Sequence, residues 1–131
     1  MSDLVNATFS MFRGDDLITL SDILGSIKPK SKLEWVVKIL DVTTESTSSL
    51  DVLELESRIA ASAGKGIRLT DEELATLAEE IHQVIDCDLA GFMPDAPATQ
   101  GQPAVVIEAF DSSQWTISVD TDRVAMKFVL E

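Results

Sequence analysis

Catalytic side chains are scarce in this chain. Its 131 residues include one histidine, one cysteine and no tyrosine. Nucleophilic catalysis needs a base held beside the nucleophile, and a single His82 leaves little to build one from. The lone Cys87 forms no internal disulfide, so a reducing compartment is the expectation. No apolar run approaches the ~18 residues of a membrane span. The opening residues Met1-Ser2-Asp3-Leu4 carry no basic region and no long apolar stretch, unlike a secretory signal of the usual kind. A soluble, cytoplasmic protein is expected.

Cations are the other shortage. Ten Lys and Arg face 23 Asp and Glu, for a net charge of −13. Such a body repels nucleic acid and anionic lipid. It attracts a basic protein, and the encounter rate rises through steering. The same charge also serves plain solubility. Disorder is not implied, because 45% of the residues are hydrophobic. A chain of this length is expected to form one domain over residues 1–131 with a core of its own.

Apolar periodicity divides the chain in three. Residues 1–90 read as mostly helical after an N-terminal strand, 91–103 as a loop, and 104–131 as a β-meander. Val5, Ala7, Phe9 and Met11 alternate with Asn6, Thr8 and Ser10, a strand pattern. Arg13-Gly14-Asp15-Asp16 supplies a turn. Leu17 to Leu20 fits either a second short strand or the entry to a helix near Ser21 to Ile27.

Ser31 and Glu34 have the spacing of a capping box, which predicts a helix from Lys32 to about Val42. That stretch is apolar nearly all round, with a polar strip made only by Glu34, Lys38 and Asp41, and its β-branched content leaves a strand as the alternative. After a polar connector over Thr43 to Ser49, a helix is predicted from about Leu50 to Ala63, capped by Ser48 or Ser49 and stopped at Gly64. A second capping box, Thr70 with Glu73, opens a predicted helix running to Asp86. Leu69 and Leu74 can staple its start, and Asp71, Glu72 and Glu73 suit the positive end of the helix dipole.

Gly91 to Pro103 contains three prolines and two glycines, a loop composition. Beyond it, Ala104 to Phe110, Gln114 to Val119 and Val124 to Leu130 alternate around two turns. The expected fold is α+β: three to four helices on one face of an antiparallel sheet. The sheet is formed mainly by this C-terminal three-stranded meander, with the N-terminal strand as a candidate further member.

Motifs for chemistry are weak. On the predicted helix His82 lies three and four residues from Glu79 and Asp86, the arrangement of a surface charge pair. His82, Asp86, Cys87 and Asp88 crowd together without a second His or Cys, so no metal or cofactor is expected. Nearby acids disfavour a thiolate at Cys87, which reads as a buried structural residue. Ala63-Gly64-Lys65-Gly66 lacks both the earlier glycine and the following Ser or Thr of a phosphate loop. Asn6-Ala7-Thr8 fits a glycosylation acceptor with no secretory route to serve it. Trp35 and Trp115 suit the core, or a binding anchor if exposed.

Charge is the remaining signal. Lys65 to Ala90 holds seven acids against two bases, whereas the first thirty residues are nearly balanced, with four acids and three bases. On the predicted helix Glu72, Glu79 and Asp86 recur every seven residues along one edge, with Glu80 and Asp88 beside them. A solvated helix face explains this pattern; so does a docking stripe for a Lys- and Arg-rich surface. The candidate contact residues are Glu72, Glu79, Glu80, Asp86 and Asp88, then the turn carboxylates Asp111, Asp120 and Asp122.

These features point to binding rather than catalysis. The leading expectation is an inhibitor of a basic partner protein, such as a bacterial immunity protein or antitoxin that blocks a nuclease toxin. A nuclease site is positive because it binds phosphate, and an acidic protein can occupy it. The rival is an acidic chaperone or adaptor for a secreted protein, a homodimer with an exposed apolar groove. A small enzyme built around His82 is the third reading.

Overall fold

The computed structural model describes residues 5–29, 32–44, 52–93, 102–120 and 124–126. In chain order the elements are β1 (Val5–Ser10), β2 (Phe12–Arg13), β3 (Asp16–Leu17), α1 (Leu20–Ser26), β4 (Ile27–Pro29), β5 (Glu34–Thr44), α2 (Val52–Ala61), β6 (Ile67–Thr70), α3 (Asp71–Glu79), β7 (Ile81–Phe92), β8 (Val105–Phe110), β9 (Gln114–Val119) and β10 (Val124–Met126). The class is α+β, as expected. The main sheet has six antiparallel strands in the order β1-β9-β8-β7-β5-β6.

The centre of this sheet corrects the sequence reading. The segment read as a Lys32–Val42 helix is the strand β5, and the segment read as the second half of the Thr70–Asp86 helix is the strand β7. Bulges hid both. On β5 the register passes from Val37 opposite Leu89 to Ile39 opposite Asp88, leaving Lys38 as an extra residue. Core-cluster positions therefore fall at Trp35 and Val37, then at Leu40 and Val42. On β7 two further irregularities leave Ile85 and His82 without a residue opposite. They space the buried Ile81, Val84 and Cys87 three apart. A bulge inserts one residue and inverts the alternation beyond it. A strand with bulges thus acquires the three-residue spacing of a helix. Val36, Val37, Ile39, Val42, Thr43 and Thr44 suit the pleated conformation all the same.

The helix starts follow capping chemistry. Thr70 Oγ1 accepts from Glu73 N at 3.1 Å, and Glu73 Oε1 accepts from Thr70 N at 2.9 Å, the box read from the sequence. A second box, Thr19 with Asp22, starts α1 and settles the ambiguous stretch: Leu17 ends a short strand and Leu20 opens a helix. Ser31 lies outside the described residues, and its supposed partner Glu34 begins β5. The predicted caps Ser48 and Ser49 also lie outside them. After α2, Ala63, Gly64 and Gly66 all take positive φ. A Cβ at Gly66 would stand 2.7 Å from the Val37 carbonyl oxygen, so this close approach to β5 requires glycine.

Leu20 and Ile23 of α1, Leu55 of α2 and Leu74, Leu77 and Ala78 of α3 join one buried cluster with one face of the six-stranded sheet. Both tryptophans lie in it. Trp35 donates its indole N–H to Asp71 Oδ1 at 2.6 Å, and Trp115 donates to the Ile18 carbonyl at 3.1 Å. Each buried indole thus keeps its hydrogen bond.

Of the third strand of the expected meander only Val124–Met126 lies among the described residues, and residues 127–130 fall outside them. β8 and β9 pair as read, but among the described residues β10 pairs with β4 in a separate two-stranded ladder, and not with β9. The N-terminal strand does join the sheet, along β9. Gly91 and Phe92, assigned to the loop, complete β7, and Gly91 sits opposite Trp35, whose ring covers it.

Candidate functional site

The bulges decide which side chains share a face. Cys87 and Leu89 point into the core, so the flanking Asp86 and Asp88 occupy the opposite face. Registers then extend rows of neighbours across the strands. Ile39, Asp88, Glu108, Thr116 and Thr8 form one row over β5, β7, β8, β9 and β1. Beside it, Asp41 stands opposite Asp86, and Phe110 opposite Gln114.

Two like-charged pairs, Asp88 with Glu108 and Asp41 with Asp86, therefore stand directly opposite each other on one face. Like charges so placed weaken a sheet. Among them, Ile39 is 51% exposed and Phe110 is 70% exposed. Ile39, Asp86, Asp88, Glu108, Phe110, Gln114 and Thr116 line a depression of ≈ 420 Å³.

The β8–β9 turn frames this depression. Asp111 and Ser112 adopt φ of 53° and 56°, unusual for residues with a Cβ. Their backbone N–H groups are held by β7: Asp111 N donates to Asp86 Oδ1 at 2.9 Å, and Ser112 N donates to the carbonyl of the bulged Ile85, also at 2.9 Å. Ser113 N closes the turn onto the Phe110 carbonyl. The bulge thus anchors the turn that follows Phe110. Asp86 carries two roles, as a charge on the face and as an acceptor for the turn.

The carboxylates expected to act together are spread over the molecule. Asp86, Asp88 and Asp111 come together here. Glu72 and Glu79 lie on α3, and Glu80 caps its end. They do not align with Asp86 along one helix edge, because the helix stops before Asp86 is reached. Glu72 forms an ion pair with Lys32 across exposed surface; this pair holds the Glu72 carboxyl below its usual range and raises the Lys32 ammonium. Asp120 is buried after β9, where its backbone bonds Ala104 and Val124. Asp122 lies outside the described residues.

Four charged or large apolar members of the face were absent from the expected set: Ile39, Asp41, Glu108 and Phe110. The alternation of Glu108 and Phe110 against buried Ile107 and Ala109 was legible as a strand edge pattern, but nothing local announced what stood beside it.

His82 is one of the extra residues on β7, so it does not share a helix with Glu79 and Asp86. Cys87 is buried, and burial pushes its thiol up to about 12. Such a thiol is neutral and unreactive at physiological pH. Among the described residues, no group of three or more His, Cys, Asp or Glu is placed to hold a metal ion. No helix among them is long and apolar enough to cross a membrane.

Chemically, the face offers carboxylate acceptors around two exposed apolar side chains. It suits recognition of cations that carry apolar stems, such as Lys and Arg on a protein surface. Comparison with protein-family models, with curated proteins and with solved structures finds no match to this chain.

Proposed function

We propose that this chain is an acidic binding protein that neutralises a basic protein partner, in the manner of a bacterial immunity protein or antitoxin occupying the phosphate-binding site of a nuclease toxin. The exposed sheet face carries this reading: Asp41, Asp86, Asp88 and Glu108 are held as opposed like-charged pairs around Ile39 and Phe110. These pairs oppose folding, and a cationic partner would offset their repulsion. Net charge steers the encounter, while the two apolar side chains supply the desolvated contact that slows release. In this reading the chain binds and does not catalyse, and it acts in the cytoplasm.

Binding kinetics against cationic nuclease domains test the proposal. The association rate should fall steeply as salt rises, and the D88N/E108Q double variant should associate more slowly and dissociate faster. An association rate indifferent to salt and to this variant overturns it. The exposure of Ile39 and Phe110 favours one rival, an adaptor that grips an apolar segment of its client. Binding by an adaptor would persist at high salt and fail in the F110A variant.

A further inference from the structure

We infer that β1 is a self-association edge, at which a second copy of this chain pairs its own β1 antiparallel. β1 is the outermost strand of the six-stranded sheet, and among the described residues it pairs with β9 and with no other strand. An outer strand presents a row of backbone donors and acceptors, and proteins ordinarily blunt it with charge, proline, a bulge or brevity. The opposite edge follows that rule: β6 has four residues and carries the exposed Arg68. β1 has six, Val-Asn-Ala-Thr-Phe-Ser, with no charge, no proline and no glycine. Its register along β9 runs unbroken from Val5 to Ser10. Among the described residues it is a long, regular edge that lacks charge, proline and bulge, on a strongly charged protein.

Charge and side-chain placement select a second copy as the occupant. A chain of net charge −13 repels itself, so it can meet its own kind only where carboxylates are absent. A two-fold axis perpendicular to the sheet at Ala7 sets Ala7 opposite Ala7, Val5 opposite Phe9 of the second copy, and Asn6 opposite its Thr8. Facing residues in an antiparallel ladder share a side, so this register keeps both cores on one side of a continuous sheet. It also covers Val5, which is 49% exposed in the single chain. Asn6 and Thr8 form a polar ladder on the outer face. Both acidic faces then look the same way, and the dimer presents two docking surfaces to one side. The dimer does not depend on what those surfaces bind.

The contact is small, so association is concentration-dependent. Salt gives it a signature opposite to that of a basic partner. Screening weakens repulsion between two anions, so the dimer fraction rises with ionic strength.

Sedimentation equilibrium over a range of protein and salt concentrations tests the inference, with far-UV circular dichroism to verify folding. The N6K/T8K variant sets lysines opposite lysines on exposed positions and should sediment as a monomer. It also lowers the net negative charge, which alone would promote association, so loss of the dimer reports on β1 itself. The N6K/T8E variant sets opposite charges in the same register and should remain dimeric. The inference is overturned if the natural chain stays monomeric throughout, if its association weakens with salt, or if N6K/T8K associates as the natural chain does. Monomeric behaviour of both variants overturns the Ala7-centred register.

Discussion

Asp88 on β7 stands directly opposite Glu108 on β8, so two carboxylates share one face of the central ladder. Each lies beside core-facing neighbours: Cys87 and Leu89 on one strand, Ile107 and Ala109 on the other. The core fixes the phase of both strands and thereby forces the two acids onto the same side.

Removing one of these charges should stabilise the fold. The E108Q variant keeps shape and hydrogen-bonding capacity and relieves the repulsion, for a gain of about 0.2–1 kcal/mol. Thermal denaturation at low and high ionic strength checks this, with the gain largest at low salt. A destabilised E108Q would show that the carboxylate serves the fold.

Asp71 joins β5 to the start of α3 through the Trp35 indole and the Leu33 backbone N–H, the latter at 2.9 Å. The D71A variant strands both donors and should lose about 1–3 kcal/mol for each one left buried without a partner. D71N retains one acceptor oxygen and should lose less. Urea denaturation ranks the two, and equal losses would mean that the retained acceptor oxygen contributes nothing.

The Cys87 thiol should resist a thiol-specific chromogenic reagent in the folded protein and react fully in denaturant. Burial raises its folded value to about 12, from an ordinary 9.0. An unfolded chain therefore loses this proton first. Stability is unaffected below about pH 9 and declines as pH rises from there towards 12. Comparison of the natural chain with C87A across this alkaline range isolates the effect. Rapid labelling of the native protein at neutral pH would contradict the burial.

Positive φ separates two small-residue substitutions by sign. Ser112 holds φ at 56° despite its Cβ, and S112G should gain about 1 kcal/mol because the backbone N–H to Ile85 is kept. Gly66 holds φ at 81° with the Val37 carbonyl oxygen 2.7 Å from where a Cβ would sit, so G66A should destabilise. Melting temperatures of the two variants should move in opposite directions.

Local chemistry was read correctly where a few neighbouring residues decide the outcome. The Thr70–Glu73 box started a helix, the Asp111-Ser112-Ser113 turn joined two strands, and Gly64 followed a helix end. The main errors lay at β5, where the Ser31–Glu34 spacing suggested a cap and Glu34 instead begins a strand, and at β7. Val37 and Leu40 are three apart because Lys38 is a bulge, and Val84 and Cys87 because Ile85 is. Their helical look disappears only when each strand is laid against the other. The stripe expected on one helix edge failed for the same reason: it required Asp86 to continue α3, and Asp86 belongs to the strand that follows.

The sequence by itself determined the net charge of −13, the α+β class, the scarcity of catalytic groups and the local caps and turns, since composition and short-range hydrogen bonding suffice for them. Only the tertiary structure decided which acids stand together. Register across three strands sets Asp41 against Asp86 and Asp88 against Glu108, with Ile39 and Phe110 beside them. Register is a property of pairs of strands, fixed by burial of the common core, and no single stretch of chain encodes it.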